Sequence, residues 1–293
     1  MPETPQTLRL RGKAIVFGGT YGNLQATQRL FEIAEALGIA PDHMICSGDI
    51  VAYCAQPQES VDLLRDRGVF SIQGNCEESL GGDADDCGCG FAEDSLCDLL
   101  SRQWYDFCRR RLTAETKAWM AGLPQQAVVE IAGRRLLLVH GAPGAVSRFV
   151  FPSTPWSDKA ALIAAAAVDG ILGGHSGIPF AQLTADRLWL NSGALGMPAN
   201  DGTPRAWYAL LEETPQGLAV SLRGLAYDHQ GAAAAMLAEG LKTGYADCLT
   251  SGLWPSLDVL PAAERAVSGR ALDESRVFWP VPEGSLATAA AAS

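Results

Sequence analysis

Short apolar runs recur along most of the chain, and five of them end in a glycine-flanked polar knot. Residues 13–17 form an apolar run that reads as a buried strand. Asn23 is placed to cap a helix, in which Leu24, Leu30, Ile33, Ala34 and Leu37 fall at helical spacing and Gly38 supplies a stop. Residues 44–46 read as a second strand, Pro57 opens a helix to about residue 67, and 69–72 read as a third strand. Strand alternating with helix predicts parallel pairing through right-handed crossovers. On such sheets the reactive groups gather beyond the carboxyl ends of the strands, where the first three knots fall.

The second half has a different rhythm. Residues 81–90 (GGDADDCGCG) are a loop by composition, with helices expected at about 95–110 and 114–121. Runs at 128–131 and 135–139 flank Ala132-Gly133, a hairpin signal. A helix is expected over 156–168, and short strands over 170–172, 180–184, 188–191, 207–211 and 218–222. This predicts an α/β fold of two packed, mainly mixed β-sheets flanked by helices. After about Tyr227 an Ala-rich helix is expected over 231–241. The remainder, ending in ATAAAAS, reads as a wrapping tail that frays. The expected organisation is a domain over 1–225, with a Cys-rich insertion at about 81–110, and a helical or irregular extension over 226–293 packing on it.

Composition narrows the functional classes. The 293 residues are 48% hydrophobic, ample for one large core. A net charge of −11 argues against broad nucleic-acid binding, which needs a basic footprint. It leaves room for a small anionic substrate held by a local metal. The N-terminus lacks a basic-then-apolar leader, and no apolar run of about 18 residues predicts a membrane span. A cytoplasmic location is therefore expected, and with it free thiols or metal ligands rather than disulfides for the eight cysteines.

The five knots read GGTYGN from Gly18, SGDIVAYC from Ser47, GNCEE from Gly74, VHG from Val139 and GGHSG from Gly173. Their order and spacing resemble the calcineurin-like metallophosphoesterase superfamily over roughly residues 13–211. The resemblance implies a four-layer α/β/β/α sandwich and a two-metal site built from D-x-H-G-N, G-D, G-N-H-[DE], a strand-end His and G-H-x-H. Matched residue by residue, it assigns one ion to Asp49, Asn75, His140 and His175. Two imidazoles, an amide oxygen and a carboxylate suit a divalent transition ion: Zn, Fe or Mn. The other ion's set is largely replaced: Gly19 stands for the Asp, Tyr21 for the His and Gly177 for the last His. Cys76 stands for the third-knot His, which in the family stabilises or protonates the reacting phosphoryl group. A second ion is thus left open.

The resemblance implies hydrolysis of a phosphoester or related small anionic substrate, with Asp49, Cys76 and Glu77 as candidate catalytic residues and Tyr21, Asn23 and Arg148 as candidate substrate contacts. Each has a plainer reading: Tyr21 as a hydrogen-bonding wall, Asn23 as a helix cap, Arg148 as a surface ion pair, Glu77 as a solvated charge. Cys54 and Cys76 sit in or beside the knots and read either as soft metal ligands or as small buried residues. Cys87 and Cys89, as C-x-C, read as reactive. Cys46, Cys97, Cys108 and Cys248 read as core. Cysteine ligands on iron would support redox or sulfur chemistry instead, and a non-catalytic metal- or ligand-binding protein is the third reading.

Overall fold

A computed structural model describes residues 5–89, 96–184, 186–241 and 244–281. Its strands are β1 (Gln6–Arg9), β2 (Lys13–Phe17), β3 (Met44–Cys46), β4 (Phe70–Ser71), β5 (Gln126–Ile131), β6 (Arg134–Val139), β7 (Gly170–Gly173), β8 (Phe180–Thr184), β9 (Arg187–Asn191), β10 (Ala206–Thr214), β11 (Gly217–Leu225) and β12 (Ser275–Pro280). The helices are α1 (Leu24–Ala36), α2 (Pro57–Asp66), α3 (Asn75–Gly81), α4 (Leu96–Arg111), α5 (Ala114–Ala121), α6 (Trp156–Ala165), α7 (His229–Ala238), α8 (Tyr245–Ser251) and α9 (Ala262–Ala266).

Two six-stranded mixed sheets result, ordered β1-β5-β6-β7-β9-β8 and β12-β11-β10-β2-β3-β4. Side-chain alternation on β2 shows how the layers form. Ala14 and Val16 point between the sheets, where they meet Val129, Leu136, Leu138, Leu172 and Leu190 of the other sheet. Ile15 and Phe17 point the opposite way, under Leu30 of α1, Leu64 of α2, Met236 of α7 and Leu249 of α8. The far face of the first sheet packs Leu137, Val139, Ile171 and Trp189 against Ile163 of α6. The order is helix, sheet, sheet, helix. Strands covered on both faces need apolar residues at every position, which is why 13–17 and 44–46 read as continuous runs.

Three elements depart from expectation. The tail is not wholly irregular: Ser275–Pro280 pairs antiparallel with β11, register Val220↔Val277, and closes one sheet edge. β1 pairs parallel with β5 at an edge of the other sheet. Both edge strands are mostly exposed, so neither carries a clear apolar pattern. The third knot opens a helix that no pattern announced, α3, which begins at Asn75. Residues 90–95 of the Cys-rich insertion and the ATAAAAS terminus lie outside the described residues. So does the side chain of Cys97, while Cys46, Cys108 and Cys248 are buried. No helix among the described residues is long and apolar enough to cross a membrane.

Candidate metal centre

The parallel strands of both sheets aim their carboxyl ends at one point. Asp49 follows β3 and Asn75 follows β4 in one sheet; His140 follows β6 and His175 follows β7 in the other. His140 Nε2 lies 3.1 Å from Asn75 Oδ1, 3.1 Å from His175 Nδ1 and 3.2 Å from Asp49 Oδ2. Its other ring nitrogen, Nδ1, lies 2.8 Å from the Ser47 carbonyl, a contact that requires the proton on Nδ1. Asn75 is oriented likewise: its amide Nδ2 donates to the Cys87 carbonyl at 2.8 Å, which turns Oδ1 inward.

Lone pairs of Asp49, Asn75 and His140 therefore meet at one spot with His175 Nδ1, the ring nitrogen whose proton no outside partner assigns. A second proton on His140 would serve one of three acceptors and leave the others facing bare atoms. Separations of 3.1–3.2 Å match the edge of a coordination polyhedron with bonds of about 2.0–2.2 Å. His175 Nε2 has no hydrogen-bond partner. The donor set fits a divalent transition ion. The Ser47 and Cys87 carbonyls fix the orientation of His140 and Asn75. Asp49 and His175 both adopt left-handed backbone, φ 56° and 59°, which is uncommon outside glycine and concentrates at functional sites.

Glu77 sits behind the site. Its carboxylate accepts from Asp49 N at 2.7 Å, Gly74 N at 2.8 Å and Ile50 N at 2.8 Å, with the side chain wholly buried. It is the third residue of α3 and reaches back to the N-cap amide, half of a capping box. Gly74 is required because a Cβ there would strike the Asp49 carboxylate. Burial and the neighbouring Asp49 charge push Glu77 up, to about 7, against the pull of its amide donors. Burial would raise Asp49 too, but His140 and His175 outweigh it and hold Asp49 below its usual value. His140 is the reverse: burial lowers it, Asp49 overrides, and it sits above its ordinary value.

Aromatic rings stand beside the two glycines that replace the other ion's ligands. A Cβ on Gly19, at φ +57°, would lie 2.7 Å from the Tyr21 ring. The absence of a side chain at 19 is thus what admits the phenol at 21. A Cβ on Gly177 would lie 3.2 Å from the Trp254 ring. Burial, then the Asp49 charge, push the Tyr21 hydroxyl well above its ordinary value, so it stands as a neutral wall. The Gly19–Tyr21 dependence is measurable. Gly19→Ala will cost about 2–4 kcal/mol with Tyr21 present, because the ring must move and alanine is strained at this positive φ. In a Tyr21→Ala background only the backbone strain remains, about 1–2 kcal/mol, and equal costs in urea melts of both backgrounds would refute the coupling.

Other candidates go elsewhere. Asn23 caps α1 by accepting from Ala26 N at 3.1 Å, and its amide donates to Gly196 O and Tyr227 OH. With both ends used and no exposure, it is not a substrate contact. Arg148 is exposed and does not line the cleft. Glu77 is neither solvated nor open to substrate. Cys54 sits 3.8 Å from Gly196 O, in surroundings shared with Cys248 and Cys108. Among the described residues, the His, Cys, Asp and Glu side chains that converge within 4.8 Å are Asp49, His140 and His175, with no cysteine. Cys54→Ser will therefore leave the metal content per chain unchanged in elemental analysis of purified protein.

Cys76 is buried beside Asn75, and burial with the Asp49 charge pushes its thiol well up. It does not line the cleft, so it is not placed to protonate a substrate as the third-knot position implied. Cys87 and Cys89 are joined as a disulfide, against the expectation of free thiols. The turn at Gly88, φ +59°, brings their Cα atoms to 5.3 Å, inside the usual range. Cys89 Sγ lies 3.3 Å from Asn75 Nδ2.

The cleft over Asp49, Asn75 and His175 is also lined by Tyr21, Tyr53, Phe149, Tyr245 and Trp254. Sequence reasoning did not find the last four. Tyr53 lies inside a knot, and its neighbourhood was the available signal. Tyr245 and Trp254 come from the tail, beyond any motif, and carried no local signal.

Comparison with known proteins bears on the family and the fold. The family model of the calcineurin-like phosphoesterase superfamily domain matches residues 13–215. An uncharacterised protein of Methanocaldococcus jannaschii is 26% identical over 216 residues, covering 68% of this chain and 82% of that one. A metallophosphoesterase of Sphaerobacter thermophilus superposes with a TM-score of 0.65 at 21% identity, over 83% of this chain and 100% of its own. A hypothetical protein of Pyrococcus horikoshii gives 0.70 at 19% identity, over 83% and 99%. Both structures share the two-sheet sandwich.

Proposed function

The chain belongs to the calcineurin-like phosphoesterase superfamily, and from that premise we propose that it is a metal-dependent hydrolase of a phosphoester or related small anionic substrate, working with one ion. The observation that carries this is the convergence of four metal-donor atoms, from Asp49, Asn75, His140 and His175, with His140 Nε2 3.1–3.2 Å from each of the other three. A divalent transition ion held there supplies Lewis-acid polarisation of a phosphoryl oxygen and acidifies water.

The chain's own groups do the rest. Asp49 contributes the anionic donor. Ser47 O keeps the proton of His140 on Nδ1, so Nε2 stays a bare donor atom. Asn75 offers oxygen because its amide nitrogen donates to Cys87 O. Glu77 pins the Asp49 and Ile50 amides, holding the carboxylate's loop against the α3 N-terminus. Tyr21 and Trp254 cover the ground where further ligands would stand, which supports one ion rather than two. One clamp fewer on the phosphoryl charge implies slow turnover of simple diesters, since a lost acid–base group alone costs about 10²–10⁴ in rate.

The test is stoichiometry with activity. Protein reconstituted separately with Zn²⁺, Fe²⁺ and Mn²⁺ will bind one ion per chain and hydrolyse a nitrophenyl phosphoester only when loaded. Two ions per chain, or activity untouched by chelator, would overturn the reading.

A further inference from the structure

The cleft above the ligand cluster is built for something other than a bare anion. Among the described residues its lining includes five aromatic rings, Tyr21, Tyr53, Phe149, Tyr245 and Trp254, and no lysine or arginine. The rings hold one another in place: Tyr21 meets Tyr53 edge-on at 4.8 Å, and Tyr53 meets Tyr245 at 4.4 Å. Phe149 lies 4.2 Å from the His175 ring. Trp254 is fixed by two hydrogen bonds, from its indole nitrogen to Pro198 O at 2.7 Å and from its backbone amide to Asn200 Oδ1 at 2.9 Å. That places the ring over Gly177, two residues from His175.

Two of these rings, Tyr245 and Trp254, lie beyond residue 215, where the family match stops. The C-terminal extension thus does more than pack on the domain; it supplies a wall of the cleft. We propose that this wall and Tyr21 form a subsite for a planar aromatic ring carried on the organic group of the substrate, with the phosphoryl end directed at Asp49, Asn75 and His175. The proposal rests on the phosphoester reading above. A phosphate ester of a small alkyl group is too short to reach along these rings, and no guanidinium or ammonium stands among the described lining residues. A planar ring gains face and edge contacts with rings already fixed in place, so it loses little on ordering them. A cationic group would also suit aromatic faces. Here the carboxylate among the described lining residues, Asp49, is turned into the ligand cluster, with Oδ2 3.2 Å from His140 Nε2.

Binding of non-hydrolysable phosphonates to the metal-loaded protein tests this without requiring turnover. Phenylphosphonate is expected to bind at least about 10-fold tighter than methylphosphonate, roughly 1.4 kcal/mol. Cyclohexylphosphonate, equal in bulk but not planar, will fall short of phenylphosphonate. Trp254→Leu is expected to cut the phenyl-over-methyl ratio to about threefold or less, and Trp254→Phe to retain most of it. Both variants are compared at equal metal content, so a folding defect registers as lost metal and Tyr245→Leu then replaces the failed variant. Equal affinity for the phenyl and methyl compounds, a ratio unchanged by loss of the ring at 254, or tighter binding of phosphocholine than of phenylphosphonate would overturn the subsite. A protein that prefers phenylphosphonate yet hydrolyses nothing would instead overturn the hydrolase reading and leave the subsite standing.

Discussion

Asp49→Asn protein will lose its ion and at least about 10³-fold in kcat/KM, some 4 kcal/mol of transition-state stabilisation. Asp49 is the one anion among the four converging groups, with Oδ2 3.2 Å from His140 Nε2. Asparagine keeps the shape but removes the charge, leaving two imidazoles and two amide groups around a divalent cation. Weakening support behind a metal ligand typically costs 10–100-fold in affinity, and removing the charged ligand itself costs more. The measurement pairs elemental analysis with steady-state kinetics on the loaded protein. Full metal content with unchanged kcat/KM would show that the ion lies elsewhere. Metal retained with activity lost would place Asp49 in the chemistry rather than in binding.

The second large effect falls on folding. Glu77→Gln is expected to cost about 3–5 kcal/mol in chemical denaturation. Its two oxygens accept from three backbone amides of two loops, at 2.7–2.8 Å, with no exposure to water. Glutamine exchanges one acceptor for an NH₂ that faces an N–H, stranding at least one buried donor. For a chain of this size each kcal/mol moves Tm by about 2–4 °C, so a fall of roughly 6–20 °C is expected. The same loops carry Asp49 and Asn75, so metal affinity will drop with stability. A variant with wild-type Tm would mean that the amides find other partners, and that Glu77 is not what joins the loops.

Much of the candidate site was legible because ligand positions follow strand ends. An apolar run followed by a glycine-bearing knot marks where a buried strand stops and the backbone turns, and Asp49, Asn75, His140 and His175 all stand there. Glu77 was also within reach: a glutamate three residues after Gly74 is the signature of a capping box. Its plain solvated reading failed because the partners it caps include Asp49 and Ile50, far away in sequence. Arg148 and Cys54 misled for the same reason. Nearness to a motif along the chain does not say which way a side chain points. The edge strands β1 and β12 escaped because half-exposed strands carry weak patterns.

By itself, the order of apolar runs and knots determined the layered α/β architecture and the identity of the residues that could hold an ion, since periodicity is dictated by burial and strand ends by glycine. Tertiary structure alone decided what became of the other ion's place. Glycine at 19 and 177 reads along the chain as a missing ligand. In three dimensions each glycine is the space into which a ring fits, Tyr21 from the same knot and Trp254 from the far tail. The contact of Gly177 with Trp254 depends on how the extension packs on the sheets, and no local pattern encodes that.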